Sequence, residues 1–291
     1  MSVERRGVAQ PGPLRWPRHP QLAGDQPESV ALYTYLLDAD GELAEGFDVR
    51  ARIAARQLAT ARVLQVAVGA CDLAPWFETA AQGLGLLILD GLLALEIRVG
   101  GRTAVELVGP GDLLQPLGPA ADQLLARTCG WRGLRPTRLA VLDADFVDRV
   151  RPFPQIGRIL TRRACRRPLE LDVLRAITSQ PRLEVRLVLL LWHLAARWGR
   201  VEPTGVRLSL PLTHRLLGQL VAAERPSISH ALKRLAQAGL VTGPSDDLHL
   251  HASLEQQLEA LAEREPALIE RPPALTEHAV PHSRRARRPI A

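Results

Sequence analysis

The chain has 291 residues, 46% of them hydrophobic, enough for one large domain or two ordinary ones. No uncharged apolar run reaches about 18 residues, so no membrane span is expected, and the opening MSVERRGVAQPGPLRWPRHP lacks the apolar centre of a secretory signal. The net charge of +6 favours an acidic partner, of which nucleic acid is the commonest. The charge is permissive only: all but one of the 37 basic residues are arginine and asparagine is absent, as G+C-rich coding would produce. Cys71, Cys129 and Cys165 are odd in number and far apart, which suits a reducing cytoplasm and not a disulfide framework.

Residues 1–28 are rich in Pro, Gly, Arg and Gln without periodicity and read as a disordered arm. Folded structure is expected from near Val30 and strands from about Ala61, with ARVLQVAV (61–68) the first. Residues 83–117 read as three strands, Leu86–Leu89, Leu92–Val99 and Thr103–Leu107. Gly100-Gly101 sits between two alternating segments, a hairpin signal because glycine reaches positive φ cheaply. PTRLAVLDADFVDRV (136–150) reads as a last strand and a helix. Short strands at this spacing indicate a β-roll or jelly roll over 29–152.

From Phe153 the period turns helical. Ile156, Ile159 and Leu160, then Leu171, Leu174 and Ile177, mark a helix over 154–180 that Pro168 must kink or divide. Residues 183–199 form a second helix, apolar on most sides and so buried on most sides. GVRLSLPL (205–212) is a short strand, 239–253 a strand–turn–strand, and 254–265 a terminal helix before a Pro- and Arg-rich tail, 266–291, read as disordered.

The informative stretch is LTHRLLGQLVAAERPSISHALKRLAQAGLV (212–241). Thr213 is a good N-cap, and Leu216, Leu217 and Leu220 form one apolar face. Pro226 falls in the first turn of the next helix, where a missing amide hydrogen costs nothing. Ile228, Ala231, Leu232 and Leu235 face inward. The opposite face is Arg225, Ser227, His230, Lys233, Arg234 and Gln237, side chains that reach base edges and phosphates in a major groove. A helix–turn–helix with a two-stranded wing accounts for this; the alternative is a helical hairpin with a solvated polar face.

This segment resembles the C-terminal domain of the Crp/Fnr, or catabolite-activator-type, regulators. Their pattern LTxxxLGxLVGxxRxSVSxALxxLxxxGLV is met at Leu212-Thr213, Leu217-Gly218, Leu220-Val221, Arg225, Ser227-Ile228-Ser229, Ala231-Leu232, Leu235 and Gly239-Leu240-Val241. The likeness extends upstream to PRLEVRLVLLLWHLAARWGRV (181–201), similar to the helix joining sensor to DNA-binding domain, and to VELVGPGDLL (105–114), similar to the glycine-aspartate turn of the family's β-roll. It covers roughly residues 55–253.

The resemblance implies an α+β chain. An N-terminal cyclic-nucleotide-binding-like roll (29–152) would precede dimerisation helices (153–180), a winged helix–turn–helix (181–253), and a helix with a basic tail (254–291). It implies a cytoplasmic, bacterial, homodimeric transcription regulator that places a recognition helix, 226–237, on palindromic double-stranded DNA, its two copies about one turn apart. Arg225, Ser227 and His230 match base-reading positions; Thr213, His214, Lys233 and Arg234 suit phosphates, and Ser229 completes the DNA-binding set. Pro226 departs from the glutamate often found there, so the best-known operator should bind poorly. Asp246 and Asp247 would repel phosphate, so the wing either inserts shallowly or points its tip outward. Activation would need a surface for RNA polymerase, a further partner that no residue pattern here identifies.

A buried cyclic phosphate needs an arginine and converging amides. After Gly111-Asp112 no Gly-Glu follows, and ARTC (126–129) lacks a surrounding small-residue cassette. A roll without cyclic AMP is therefore expected, its effector unknown and no cofactor assigned. Three scattered cysteines cannot hold an iron–sulfur cluster. His193, in the apolar middle of the chain, reads as a core histidine, with a haem ligand the alternative. His249 and His251 have ligand-like spacing but no third partner for zinc. The rival readings are a constitutive or weakly specific DNA-binding protein, with Arg284, Arg285, Arg287 and Arg288 dominating affinity, and, least favoured, an enzyme: neither P-loop, dinucleotide fingerprint nor Ser-His-Asp order is present.

Overall fold

A computed structural model describes residues 32–115 and 127–263. The expected N-terminal arm, the basic tail and most of the segment after Gly111-Asp112 lie outside the described residues.

Strand β1 (Leu32–Tyr35) leads into α1 (Leu36–Ala39), a 3-10 turn (Gly41–Ala44) and α2 (Val49–Leu58). None of these had a clear sequence signal. Next come β2 (Thr60–Val66), β3 (Gly69–Cys71), α3 (Ala74–Thr79), β4 (Gly85–Val99), β5 (Arg102–Val108), β6 (Leu113–Leu114) and β7 (Arg127–Leu142). All pairings are antiparallel. The strands form a seven-stranded sheet in the order β1-β2-β7-β4-β5, with β3 added to β7 and β6 to β4.

The two strands expected at 86–89 and 92–99 are one 15-residue strand. Asp90-Gly91 bulges where a break was read, and the register shifts there. Gly91 has φ +94°, and a Cβ on it would lie 2.4 Å from the Pro136 carbonyl oxygen. Thr137 pins the bulge by accepting from the Leu92 amide (3.0 Å) and donating to the Arg135 carbonyl (2.8 Å). The uninterrupted apolar run has a simple cause: both faces are covered. Leu86 and Ile88 pack with Leu64, Phe77, Leu139 and Val141. Leu87 and Leu89 face the opposite way, against Leu36, Leu37, Phe146 and Leu160.

Helix α4 (Ala144–Val150) is capped by Asp143, which accepts from the Phe146 amide at 2.9 Å. Helix α5 (Pro154–Thr178) follows and runs unbroken through Pro168. Division of the helix was therefore the wrong alternative. Pro168 is exposed, and arginines just before it anchor the helix. Arg163, only 4% exposed, pairs with Asp40 and Glu42; Arg166 reaches Asp112 (3.1 Å) and Arg167 reaches Glu106 (2.7 Å).

The C-terminal unit starts with α6 (Leu183–Trp198). An unforeseen strand β8 (Arg200–Glu202) pairs with β9 (Gly205–Leu208). Then come α7 (His214–Leu220), α8 (Arg225–Gln237), β10 (Val241–Thr242), β11 (Leu248–His251) and α9 (Leu254–Glu263). The small sheet has the order β10-β11-β9-β8. One apolar core joins this unit to the roll: Leu92, Ala94, Val105 and Leu107 of β4 and β5 lie in the same cluster as Leu194, Leu216, Leu217 and Leu220. Among the described residues no helix is long and apolar enough to cross a membrane.

Candidate nucleic-acid interface

Helix α7 begins at its expected cap, Thr213, whose hydroxyl accepts from the Leu216 amide at 3.2 Å. The turn to α8 is tight. A Cβ on Gly218 would lie 2.5 Å from the Ala223 carbonyl oxygen. Ala222 has φ +55°, a left-handed conformation that glycine adopts more cheaply; the family pattern has glycine there. Arg186 of α6 donates to the Val221 carbonyl at 3.1 Å and holds the turn from behind. Ile228, Ala231 and Leu235 are fully buried, as their spacing required.

The residues singled out from the sequence fall into two groups. Arg225, Ser227, His230 and Lys233 lie along α8, all four exposed, and none has a side-chain hydrogen bond or ion pair among the described residues. The others are engaged within the chain. His214 Nδ1 lies 2.8 Å from Ser229 Oγ, and Ser229 donates to the Arg225 carbonyl at 3.2 Å. The His214–Ser229 hydrogen bond ties the start of α7 to α8. Arg234 forms an ion pair with Glu184 of α6, so its guanidinium holds two helices together.

The wing differs from the sequence reading. Asp247 is not a bare charge at the tip: it accepts from Arg207 (2.8 Å from Nε) and from Ser209 (2.6 Å). The hydrogen bond from Arg207, then that from Ser209, lowers its pKa to about 2. Asp246 remains exposed. His249 and His251 stack at 4.5 Å between ring centres, bonded to Thr204 (3.2 Å) and Thr242 (2.7 Å) respectively. Among the described residues no group of three or more His, Cys, Asp or Glu could hold a metal ion.

Two residues central to this unit had no sequence signal beyond polarity on an apolar face. Gln257 of α9 is completely buried. It donates to the carbonyls of Leu240 (3.0 Å) and His251 (2.5 Å) and accepts from the Trp192 indole (3.2 Å). Arg186 is the other.

Between the roll and α5–α6 lies a small cavity whose mostly apolar wall, with Leu107, Leu171, Leu194 and Trp198 in it, also carries the charged and polar groups of Glu106, Asp112, Arg167, Glu170, His193 and Arg197. Its charges satisfy one another: Arg167 pairs with Glu106 (2.7 Å), Arg197 with Asp112 (2.6 Å), and His193 lies 3.1 Å from Glu170. Burial lowers the His193 pKa; Glu170 opposes this and Arg197 adds to it.

Residues 185–260 match the Crp-like helix-turn-helix domain. No curated protein sequence matches the chain. Solved structures do. A CooA variant from Carboxydothermus hydrogenoformans aligns with a TM-score of 0.52 at 16% identity, over 68% of this chain and 87% of that one. FixK2 from Bradyrhizobium japonicum gives 0.51 at 12%, over 69% and 96%. A cyclic nucleotide-binding domain containing protein from Listeria monocytogenes EGD-e gives 0.52 at 18%, over 64% and 87%. At these identities the likeness is one of fold. The chain thus carries a Crp-like helix–turn–helix domain on the fold of the Crp/Fnr transcription regulators.

Proposed function

We propose that the protein is a site-specific DNA-binding transcription regulator of Crp/Fnr type, acting as a homodimer on inverted-repeat operators. The observation that carries this is the α8 surface. Arg225, Ser227 and His230 are exposed on a helix whose start is fixed by the Gly218–Ala223 contact and the His214–Ser229 bond, with Lys233 one turn further on. A recognition helix needs its donors free and its backbone rigid. Arg225 suits a bidentate contact with guanine. Thr213, His214, Ser229 and Arg234 serve by shaping the unit and lying near phosphates.

In this reading residues 29–152 are the sensor-like roll and 153–180 the dimerisation region. The DNA-binding unit runs from 181 to 263, because Gln257 stitches α9 to it. The dimer seam is the outer face of α5, where Leu169 and Val173 are 67% and 45% exposed one turn apart. The self-paired charges of the roll–helix cavity support a regulator not gated by cyclic AMP.

Selection of bound duplexes from a random pool, with wild type and Arg225→Ala, tests the proposal. An inverted repeat with half-sites about one turn apart, lost in the variant, supports it. Unselective binding that only fades with salt supports the weakly specific alternative.

A further inference from the structure

The β4–β5 hairpin is unused by the function proposed above, yet it ends beside the recognition helix. Arg102 Nη1 lies 3.0 Å from Glu224 Oε1, and both side chains are largely exposed, at 79% and 74%. Glu224 is the N-cap of α8, immediately before Arg225. The hairpin is held in place from below: Ala94, Val105 and Leu107 share the buried core of Leu216, Leu217 and Leu220. In the β4–β5 register Ala94 faces Leu107, Glu96 faces Val105 and Arg98 faces Thr103. Alternation along the strand therefore puts Arg98 on the face that packs against the helix–turn–helix. Residues 97–104 include two arginines and no carboxylate. A Cβ added to Gly100 or Gly101 would meet no atom within 4 Å beyond the adjacent residues, so the tip projects into solvent.

The tip flanks the base-reading stripe without covering it, since Arg225, Ser227 and His230 stay exposed. The N-terminal end of a recognition helix sits among base edges, with the sugar-phosphate backbone rising on either side. A cation 3.0 Å from the N-cap carboxylate is thus within side-chain reach of that backbone. Glu224 alone would repel phosphate. Arg102 offsets its charge, and Arg98 adds another cation on the helix–turn–helix side.

We infer that the β4–β5 hairpin of the roll is a second DNA-contacting element, with Arg98 and Arg102 holding duplex phosphates beside the half-site. This rests on α8 entering the major groove. Such contacts would add affinity and fix register without reading sequence.

The test is the affinity of the full chain for its selected duplex across about 50–300 mM salt. The proteins compared are wild type, Arg102→Ala, Arg98→Ala/Arg102→Ala, Arg102→Lys, Glu224→Gln and Arg225→Ala. Each lost phosphate contact should lower the slope of log K against log salt by about 0.9. The double variant should bind roughly tenfold more weakly near physiological salt, with its selected motif unchanged. Arg102→Lys should keep the slope, and Glu224→Gln should tighten binding. A double variant with wild-type slope and affinity overturns the inference. So does one that binds more tightly, which would make the hairpin a latch. Neither outcome touches the proposed function, which is judged on the motif lost in Arg225→Ala. Wild type that binds no duplex overturns both.

Discussion

Arg197 of α6 donates to Asp112 of the roll at 2.6 Å, and both side chains are at least four-fifths buried. Asp112 also accepts from the Gly109 amide (2.8 Å) and from Arg166 (3.1 Å). One carboxylate thus joins its own turn, the long helix and the first helix of the C-terminal helix–turn–helix unit. Removing one partner of a buried pair leaves an uncompensated charge, at a cost of about 3–5 kcal/mol. Asp112→Ala, which strands Arg197, should lose about 3 kcal/mol in urea unfolding. Arg166→Ala should cost much less, because Arg166 is 41% exposed and an exposed pair contributes about 1 kcal/mol or less.

The turn between α7 and α8 makes two opposite predictions. Gly218→Ala drives a Cβ to 2.5 Å from a backbone carbonyl that has little room to move. It should destabilise by about 2 kcal/mol and loosen the helix–turn–helix first. Ala222→Gly relieves a left-handed residue at φ +55° and should stabilise by about 0.5 kcal/mol after the entropy of the unfolded glycine is subtracted. Thermal melts of both variants check the pair of signs.

The exposed apolar pair on α5 sets the assembly prediction. Leu169→Glu/Val173→Glu adds charge to a face that is already solvent-exposed in one chain, so the fold should persist. Sedimentation should then show wild type as a dimer and the variant as a monomer, and affinity for an inverted repeat should fall to that of a half-site. A variant that stays dimeric would place the seam elsewhere.

His193 gives the pH prediction. Burial lowers its folded pKa below 6.5. Between the folded value and 6.5 the unfolded chain binds the proton and the folded chain resists it, so stability falls as pH drops through that window. His193→Gln should flatten the dependence measured between about pH 5 and 7.5. An unchanged slope would assign it to other groups.

The helix–turn–helix was legible because its information is local. A cap at Thr213, a 3.6-residue apolar period and a proline in the first turn of α8 each act within a few residues. What escaped is non-local. β8 is three residues long and exists because β9 lies beside it. Asp90-Gly91 looks like a strand end until Thr137, 45 residues away from Leu92, is seen to hold the bulge. Asp247 and Arg234 read as free charges because their partners, Arg207 and Glu184, are 40 and 50 positions distant. Charge patterning gives residue types, and pairing decides which of them face solvent.

The core shared by β4, β5, α6 and α7 has a consequence for anyone who would take the molecule apart. Cutting before α6 would strip Leu92, Ala94, Val105 and Leu107 from Leu216, Leu217 and Leu220 and leave an oily scar on the excised piece. Grafting this helix–turn–helix unit onto another protein would need the β4–β5 ribbon to travel with it, or a new ribbon carved to the same shape.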